Sequence, residues 1–284
     1  MVAFRKILCA TDRGAEHSDA VLEAEAIART HGSEVSFLAV APHDRLTGVL
    51  RRVRSFGADL IVVNAPEPGG GGSGLAEAVV RHAPCAVLVA RPSPRTGKVL
   101  VASDLGDPSY PAVGAAAAEA RRRHARLLLV HDVDTRISGF AWNALTALVE
   151  VLSDGLEEQE GAARRRMAQA LDRFGVAGEA LVVHGAPGAT VLRLAESLPA
   201  ELVVIGSPGE SSLRTLLIGS VVESIVRWAP CAVLVVPVRA RSEPLRTLPA
   251  HAEGPLEGDT GAPDRPLVEE PADESDAMRD APRR

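Results

Sequence analysis

The residues with the most chemical promise lie between positions 206 and 220, where Gly206-x-x-Gly209 is followed, after nine residues, by Gly219-Ser220. Glycines carry no Cβ, so their main-chain N–H groups can approach an anion closely, and a helix opening at Gly219-Ser220-Val221 would add its own N-terminal N–H groups. Together they suit a ligand bearing phosphate. Ser220-Val-Val-Glu223 also has the spacing of a capping box, which accounts for Ser220 without any ligand. The two readings are compatible, because a capped helix start is still an anion site. Few other residues offer chemistry. The chain has only Lys6 and Lys98, neither near the glycines, so no Walker-type Gly-Lys-Ser is present. Nothing resembles a general base placed for phosphoryl transfer. Cys9, Cys85 and Cys231 make no disulfide framework and stand at no metal-ligand spacing; Cys85 and Cys231, at equivalent strand positions, read as small buried apolar residues. His131 and His184 end apolar runs and read as structural, and the runs Arg121 to Arg123 and Arg164 to Arg166 as solvated helix faces. These residue types predict a binding site, with no catalytic residue and no metal ligand.

The elements that must position these residues occur twice. Ala83 to Val89 and Ala229 to Val235 share the seven letters A-P-C-A-V-L-V, 146 positions apart. Ala58 to Val63 recurs as Ala200 to Ile205 at an offset of 142, and Lys6 to Asp12 as Lys98 to Asp104 at an offset of 92. An internal repeat of this kind means two copies of one unit. The changing offset gives the second copy 50 more residues in its middle and four more after the strand that ends at Ile205. Ile7 to Thr11, Val35 to Val40, Leu60 to Asn64 and Cys85 to Ala90 are short apolar runs without strict alternation, the mark of strands buried on both faces. His17 to His31 reads as a helix stopped by Gly32. The fold class is therefore α/β, with open parallel sheets. The extra residues of the second copy read as a long helix over Ala141 to Phe174, weakened at Gly155 and Gly161, and a strand over Glu179 to His184. A helix over Ala189 to Leu198 has its counterpart at Leu46 to Phe56, so the first copy lacks one helix and one strand. The predicted organisation is a truncated domain over 1–94, a complete one over 95–240, and a tail over 241–284.

Composition sets the class. The chain has 284 residues, 46% of them hydrophobic but only 3% aromatic, so its core is built from Ala, Val and Leu. The net charge of −6 is uneven: residues 1–240 hold 26 acids and 25 bases, while 242–284 hold 11 acids and 5 bases. The tail has seven prolines from Arg241 onward and no aromatic residue, a composition that predicts disorder. A nearly neutral body with few aromatics argues against a nucleic-acid surface. No apolar run approaches the ~20 residues of a membrane span, and the first twelve residues do not read as a signal peptide. A cytoplasmic protein without nucleic-acid or membrane partners is expected.

The second copy resembles a universal stress protein domain over Gly97 to Val238. The features that carry the resemblance are the strand ending in Ser103-Asp104, the His184-Gly-Ala-Pro187 segment, and the loop from Gly206 to Ser220, which matches the signature of the family's ATP-binding branch. The first copy resembles the same domain in shortened form. The resemblance implies a Rossmann-like fold related to the adenine-nucleotide α-hydrolases, with strand order 3-2-1-4-5 in the second copy. It places a ligand crevice between strands one and four. It also implies that Asp104 meets ribose or adenine, and that Ala102 and Ile205 line the base pocket. Gly206, Gly209, Gly219, Ser220 and Val221 would hold the phosphates. The ligand implied is an adenine nucleotide, ATP first, with or without Mg2+, and the role that of a non-enzymatic stress-response binding protein.

Three positions depart from the family pattern. Asp132 stands where an apolar residue is usual, and its carboxylate would accept a hydrogen bond from an adenine amino group. Glu210 replaces a frequent Arg, leaving Arg214 as the nearby cation, and Pro208 replaces a frequent His. These departures predict weak binding, or preference for a less charged nucleotide; a nucleotide-free scaffold with a decayed site is the rival reading. In the first copy Asn64, Glu67 and Ser73 take the places of Gly206, Gly209 and Gly219, so one nucleotide per chain is expected. Members of the family dimerise through the last strand. The resemblance thus implies either an internal pseudo-dimer or a homodimer, formed through residues 85–90 and 231–236.

Overall fold

A computed structural model of the chain describes residues 4–12, 17–40, 45–66, 74–106, 110–132, 145–207 and 219–237, with backbone alone for Asp12 and residues 145–156. The tail predicted to be disordered lies outside the described residues.

The first repeat supplies β1 (Lys6–Asp12), α1 (Asp19–His31), β2 (Glu34–Val40), α2 (Arg45–Phe56), β3 (Leu60–Asn64), α3 (Leu75–His82) and β4 (Ala86–Ala90). The second supplies β5 (Lys98–Ala102), α4 (Pro111–Arg123), β6 (Arg126–Asp132), α5 (Leu145–Phe174), β7 (Gly178–Val183), α6 (Pro187–Ser197), β8 (Leu202–Ser207), α7 (Ser220–Trp228) and β9 (Ala232–Pro237). Gly32 ends α1 in the left-handed conformation, at φ 67°. The helix α5 is continuous through Gly155 and Gly161, because two glycines at about 1 kcal/mol each do not outweigh thirty residues of helical pattern.

All nine strands form one sheet, in the order β2-β1-β3-β4-β9-β8-β5-β6-β7. Its right-hand part, β7-β6-β5-β8-β9, is the order 3-2-1-4-5 in the second repeat's own numbering. The two parallel halves are thus continuous, joined where β4 runs antiparallel to β9. There Val87 pairs with Val235, Leu88 with Leu234 and Val89 with Val233. Since residues 146 apart are equivalent, this register has a pseudo-two-fold axis between Leu88 and Leu234. The same axis relates two ion pairs between α3 and α7, Glu77 to Arg227 at 2.7 Å and Arg81 to Glu223 at 3.9 Å.

Alternate strand residues feed two apolar layers. Ile7, Cys9, Val99, Val101, Leu127 and Leu129 face α1, α4 and α5. Leu8, Ala10, Leu100, Val203 and Ile205 face α2, α3, α6 and α7. Both faces of the sheet are covered, which is why its strands read as unbroken apolar runs. The three thiols lie in or beside these layers, and burial pushes Cys9 and Cys85 up to about 12 and Cys231 up to about 11. They are packing groups.

The Arg121 to Arg123 run is only partly a solvated face. Arg122 and Arg123 are 7% and 12% exposed and grip the buried Glu119, while Arg123 also reaches Glu23 of α1 at 2.9 Å. Burial alone would raise the Glu119 carboxyl; the two guanidiniums outweigh it and hold the group below its ordinary value. An acid on the inner side of α4 needs these cations nearby.

Candidate functional site

A cavity of about 420 Å³ opens beyond the C-terminal ends of β5, β6, β7 and β8. Its volume falls within the range of small-molecule sites, and its place, beside the β5–β8 pair where strand order reverses, is where an open α/β sheet presents a crevice. Ala102 and Asp104 reach it from the end of β5, Asp132 from β6, and Ile205 and Gly206 from β8. Gly219 and Val221 enter from the start of α7. Seven residues singled out in the sequence are therefore brought together. Ser220 is not among the lining residues and is exposed at the first position of α7. Gly209 and Arg214, with Pro208 and Glu210, lie outside the described residues.

The capping-box reading of Ser220 is corrected. The N-cap of α7 is Gly219, which has no side chain and makes no side-chain cap hydrogen bond. Hydrogen-bond spacing shows why: the Glu223 N–H donates to the Gly219 carbonyl at 3.2 Å, so the helix begins one residue earlier than a Ser220 cap requires. Gly219 has φ −55° and ψ 141°, open to any residue, and a Cβ built there would meet nothing within 4 Å. Among the described residues, no packing calls for glycine at this position. What the missing side chain leaves is clear space between a helix start and the cavity.

Two further helices start at the same cavity. Tyr110, Pro111 and Ala112 bring the beginning of α4, and Pro187, Thr190 and Val191 that of α6. Neither helix has a side-chain cap hydrogen bond. Each helix start carries partial positive charge, so three of them converge on a cavity whose described lining contains no Lys, Arg or His. Of the acids, Asp104 is exposed and accepts the Gly106 N–H at 3.0 Å, which fixes the turn after β5. Asp132, one strand over, is half-buried. The His131 ring nitrogen Nδ1 lies 2.9 Å from the Ser103 carbonyl, and His184 Nε2 lies 2.9 Å from Glu160, so both histidines are engaged within the fold.

Several lining residues escaped the sequence reading. Tyr110 is the only tyrosine of the chain and sits at φ 48°, a left-handed conformation uncommon for an aromatic residue. Thr190 is 3% exposed, and Gly185 makes room for it: at φ 142°, a Cβ there would stand 3.0 Å from Thr190 Oγ1. Only the glycine of the His-Gly-Ala-Pro segment offered a sign of that arrangement.

The corresponding corner of the first repeat is built differently. Asn64 ends β3 where Gly206 stands in β8, and its side-chain carbonyl accepts the Ala20 N–H in the first turn of α1 at 3.1 Å. At the N-cap of α3, the Gly74 N–H donates to Glu77 at 3.0 Å. Glu67 and Ser73 lie outside the described residues.

Among proteins of known family, residues 96–237 match the model of the universal stress protein family. A universal stress protein of Thermus aquaticus is 33% identical over 139 residues, which cover 49% of this chain and 96% of that protein. One from Mycobacterium tuberculosis is 31% identical over 173 residues, or 57% of this chain and 54% of its own length. In structure, a functionally unknown protein of Pseudomonas aeruginosa superposes with a TM-score of 0.61 at 20% identity, covering 83% of this chain and 93% of its own. That coverage extends the shared fold into the first repeat.

Proposed function

The chain belongs to the universal stress protein family, and on that premise we propose that its second half binds an adenine nucleotide, ATP first, as a non-enzymatic regulatory protein of the cytoplasmic stress response. One observation carries this reading: the side-chain-free N-terminus of α7 opens onto a nucleotide-sized cavity that also holds Asp104, Ala102 and Ile205. Ala102 and Ile205 flank the base, Asp104 accepts ribose hydroxyls, and Asp132 accepts the exocyclic amino group. The main-chain N–H groups from Gly206 to Val221 hold the phosphates, with Arg214 supplying a cation. Mg2+, the counter-ion of a nucleoside triphosphate, would arrive on the phosphates. The β4–β9 seam serves as an internal pseudo-dimer contact. Among the described residues no helix is long and apolar enough to cross a membrane.

The test is isothermal titration of the full chain with ATP, ADP and AMP, with mass spectrometry of nucleotide retained on purification. One ATP or ADP per chain is the expected result. A stoichiometry of two, or turnover to product, contradicts the proposal. Two acids in a lining without a described cation favour a second reading, a nucleotide-free scaffold, and a protein that binds none of the three nucleotides would establish it.

A further inference from the structure

Both last strands are interior to the sheet, β4 between β3 and β9 and β9 between β4 and β8, so neither has an edge left for another chain. The outermost strand of the first repeat is β2, and among the described residues nothing pairs with its outer side. The Glu34 N–H donates inward to the Arg5 carbonyl, so alternation turns the N–H and C=O groups of Val35, Phe37 and Ala39 outward. Such an edge is a template for another strand.

The side chains beside that edge are apolar and uncovered. Three large hydrophobic residues are exposed among the described ones, Leu22 at 55%, Phe37 at 56% and Trp228 at 63%. At the offset of 92, Phe37 corresponds to Leu129, which is fully buried in the layer that includes Met167 of α5. Leu22 corresponds to Gly114, where a Cβ would stand 2.9 Å from the Phe174 ring of α5. Both residues therefore mark ground that α5 covers in the second half and that nothing described covers in the first.

Leu22 also limits what can sit there. A helix placed as α5 is placed would run its Phe174 position into the leucine side chain, so the uncovered face beside β2 does not take an α5-like helix. It suits a shallower occupant. We propose that this occupant is a second copy of the chain, joined by antiparallel pairing of β2 with its symmetry mate about an axis at Phe37. In that register Val35 faces Ala39 of the partner subunit, and Phe37 faces its own copy. Glu34, the one ionisable residue in the strand, meets the partner's Val40 rather than a like charge, and Lys6 lies 3.7 Å from it. The helix α1 lies mainly over β1 and β3, so two such helices would flank the seam across at least three strand spacings, about 14 Å. Helices in contact stand about 8–10 Å apart, and the Phe37 and Leu22 side chains of both copies fill the difference. Two halves of this chain already meet edge to edge in antiparallel fashion at β4 and β9.

Sedimentation velocity on the full chain should show a concentration-dependent monomer–dimer equilibrium between about 1 and 100 µM. Phe37→Lys should weaken self-association by about 100-fold or more while leaving the circular dichroism spectrum unchanged, and the Tm unchanged at concentrations below about 1 µM where the wild type is monomeric. Phe37→Ser should weaken it by a smaller factor. Phe37→Cys should form a disulfide-linked dimer on mild oxidation, because paired positions lie about 5.5 Å apart at Cα. Trp228→Cys and the wild type should not. A wild type that is monomeric at about 100 µM, a Phe37→Lys chain that dimerises as well as the wild type, or equal crosslinking at positions 37 and 228 would each overturn the proposal.

Discussion

The two repeats share a strand end and a helix start, and one side chain separates their fates. In the first, Asn64 extends from the end of β3 and takes up the Ala20 N–H, so the beginning of α1 is satisfied from within. In the second, the equivalent positions are Gly206 and Ala112, and both line an open cavity. A helix start has N–H groups that need acceptors. The protein either satisfies them with its own asparagine or leaves them facing the cavity. Whether this corner of the fold is open is thus governed by what is left off strand four as much as by what is put there.

The most severe way to break the contrast is Gly206→Asn, which imports the first repeat's plug. Nucleotide affinity should fall by about 100-fold or more, about 2.7 kcal/mol, measured by isothermal titration. Gly219→Ala is a finer cut. Its Cβ has free space and an ordinary φ, so Tm should not fall, yet affinity should drop by about 10-fold because the methyl group intrudes on the phosphate approach. A preserved affinity would remove Gly219 from the site.

The pseudo-symmetric ion pairs extend the contrast to the seam. Glu77 is 3% exposed at its side chain and Glu223 is 40% exposed. The hydrogen bond from Arg227 holds the Glu77 carboxyl below its ordinary value, against a smaller opposing effect of burial. A carboxyl whose folded value is depressed adds stability at pH above the unfolded value, and this is lost as pH falls through the folded one. Stability should therefore decline below about pH 4 more steeply in the wild type than in Glu77→Gln, by thermal melts across pH. At neutral pH, Glu77→Gln should lower Tm by about 5 °C and Glu223→Gln by about 1 °C or less, since exposed pairs contribute little.

Asn64→Gly removes the first repeat's plug. Loss of one helix-start hydrogen bond should cost about 1 kcal/mol by denaturant unfolding. Nucleotide stoichiometry should stay at one per chain, because the loop after β3 is four residues shorter than its counterpart. A second bound nucleotide would show that Asn64 alone closes the first crevice.

The fold was legible because it is written in local pattern. Apolar runs without alternation gave the doubly covered strands, and the changing repeat offset located the extra α5 and β7. The glycine spacing led to Gly206 and Gly219, whose placement needs only the strand end before them and the helix after. What escaped depended on distance in the chain. Ser220 with Glu223 has ideal capping-box spacing, yet the N-cap is Gly219 and Ser220 is already the first residue of α7. Arg122 and Arg123 read as surface charges because Glu23, about a hundred positions away, gives no sign of its approach. The bond from Asn64 to Ala20 joins residues 44 apart, and only the folded chain shows that the substitution for Gly206 does structural work. Tyr110 gave no pattern at all, since a single left-handed residue leaves no periodic trace.

The seam at β4 and β9 has a consequence for how the two halves can diverge. A contact between separate molecules is lost on dilution and must be remade by collision. Here both partners are carried on one polypeptide, so each always finds the other whatever the cellular abundance. Under that arrangement one half can surrender its crevice, its outer strand and its long helix, and still be held as a permanent buttress for the half that keeps them.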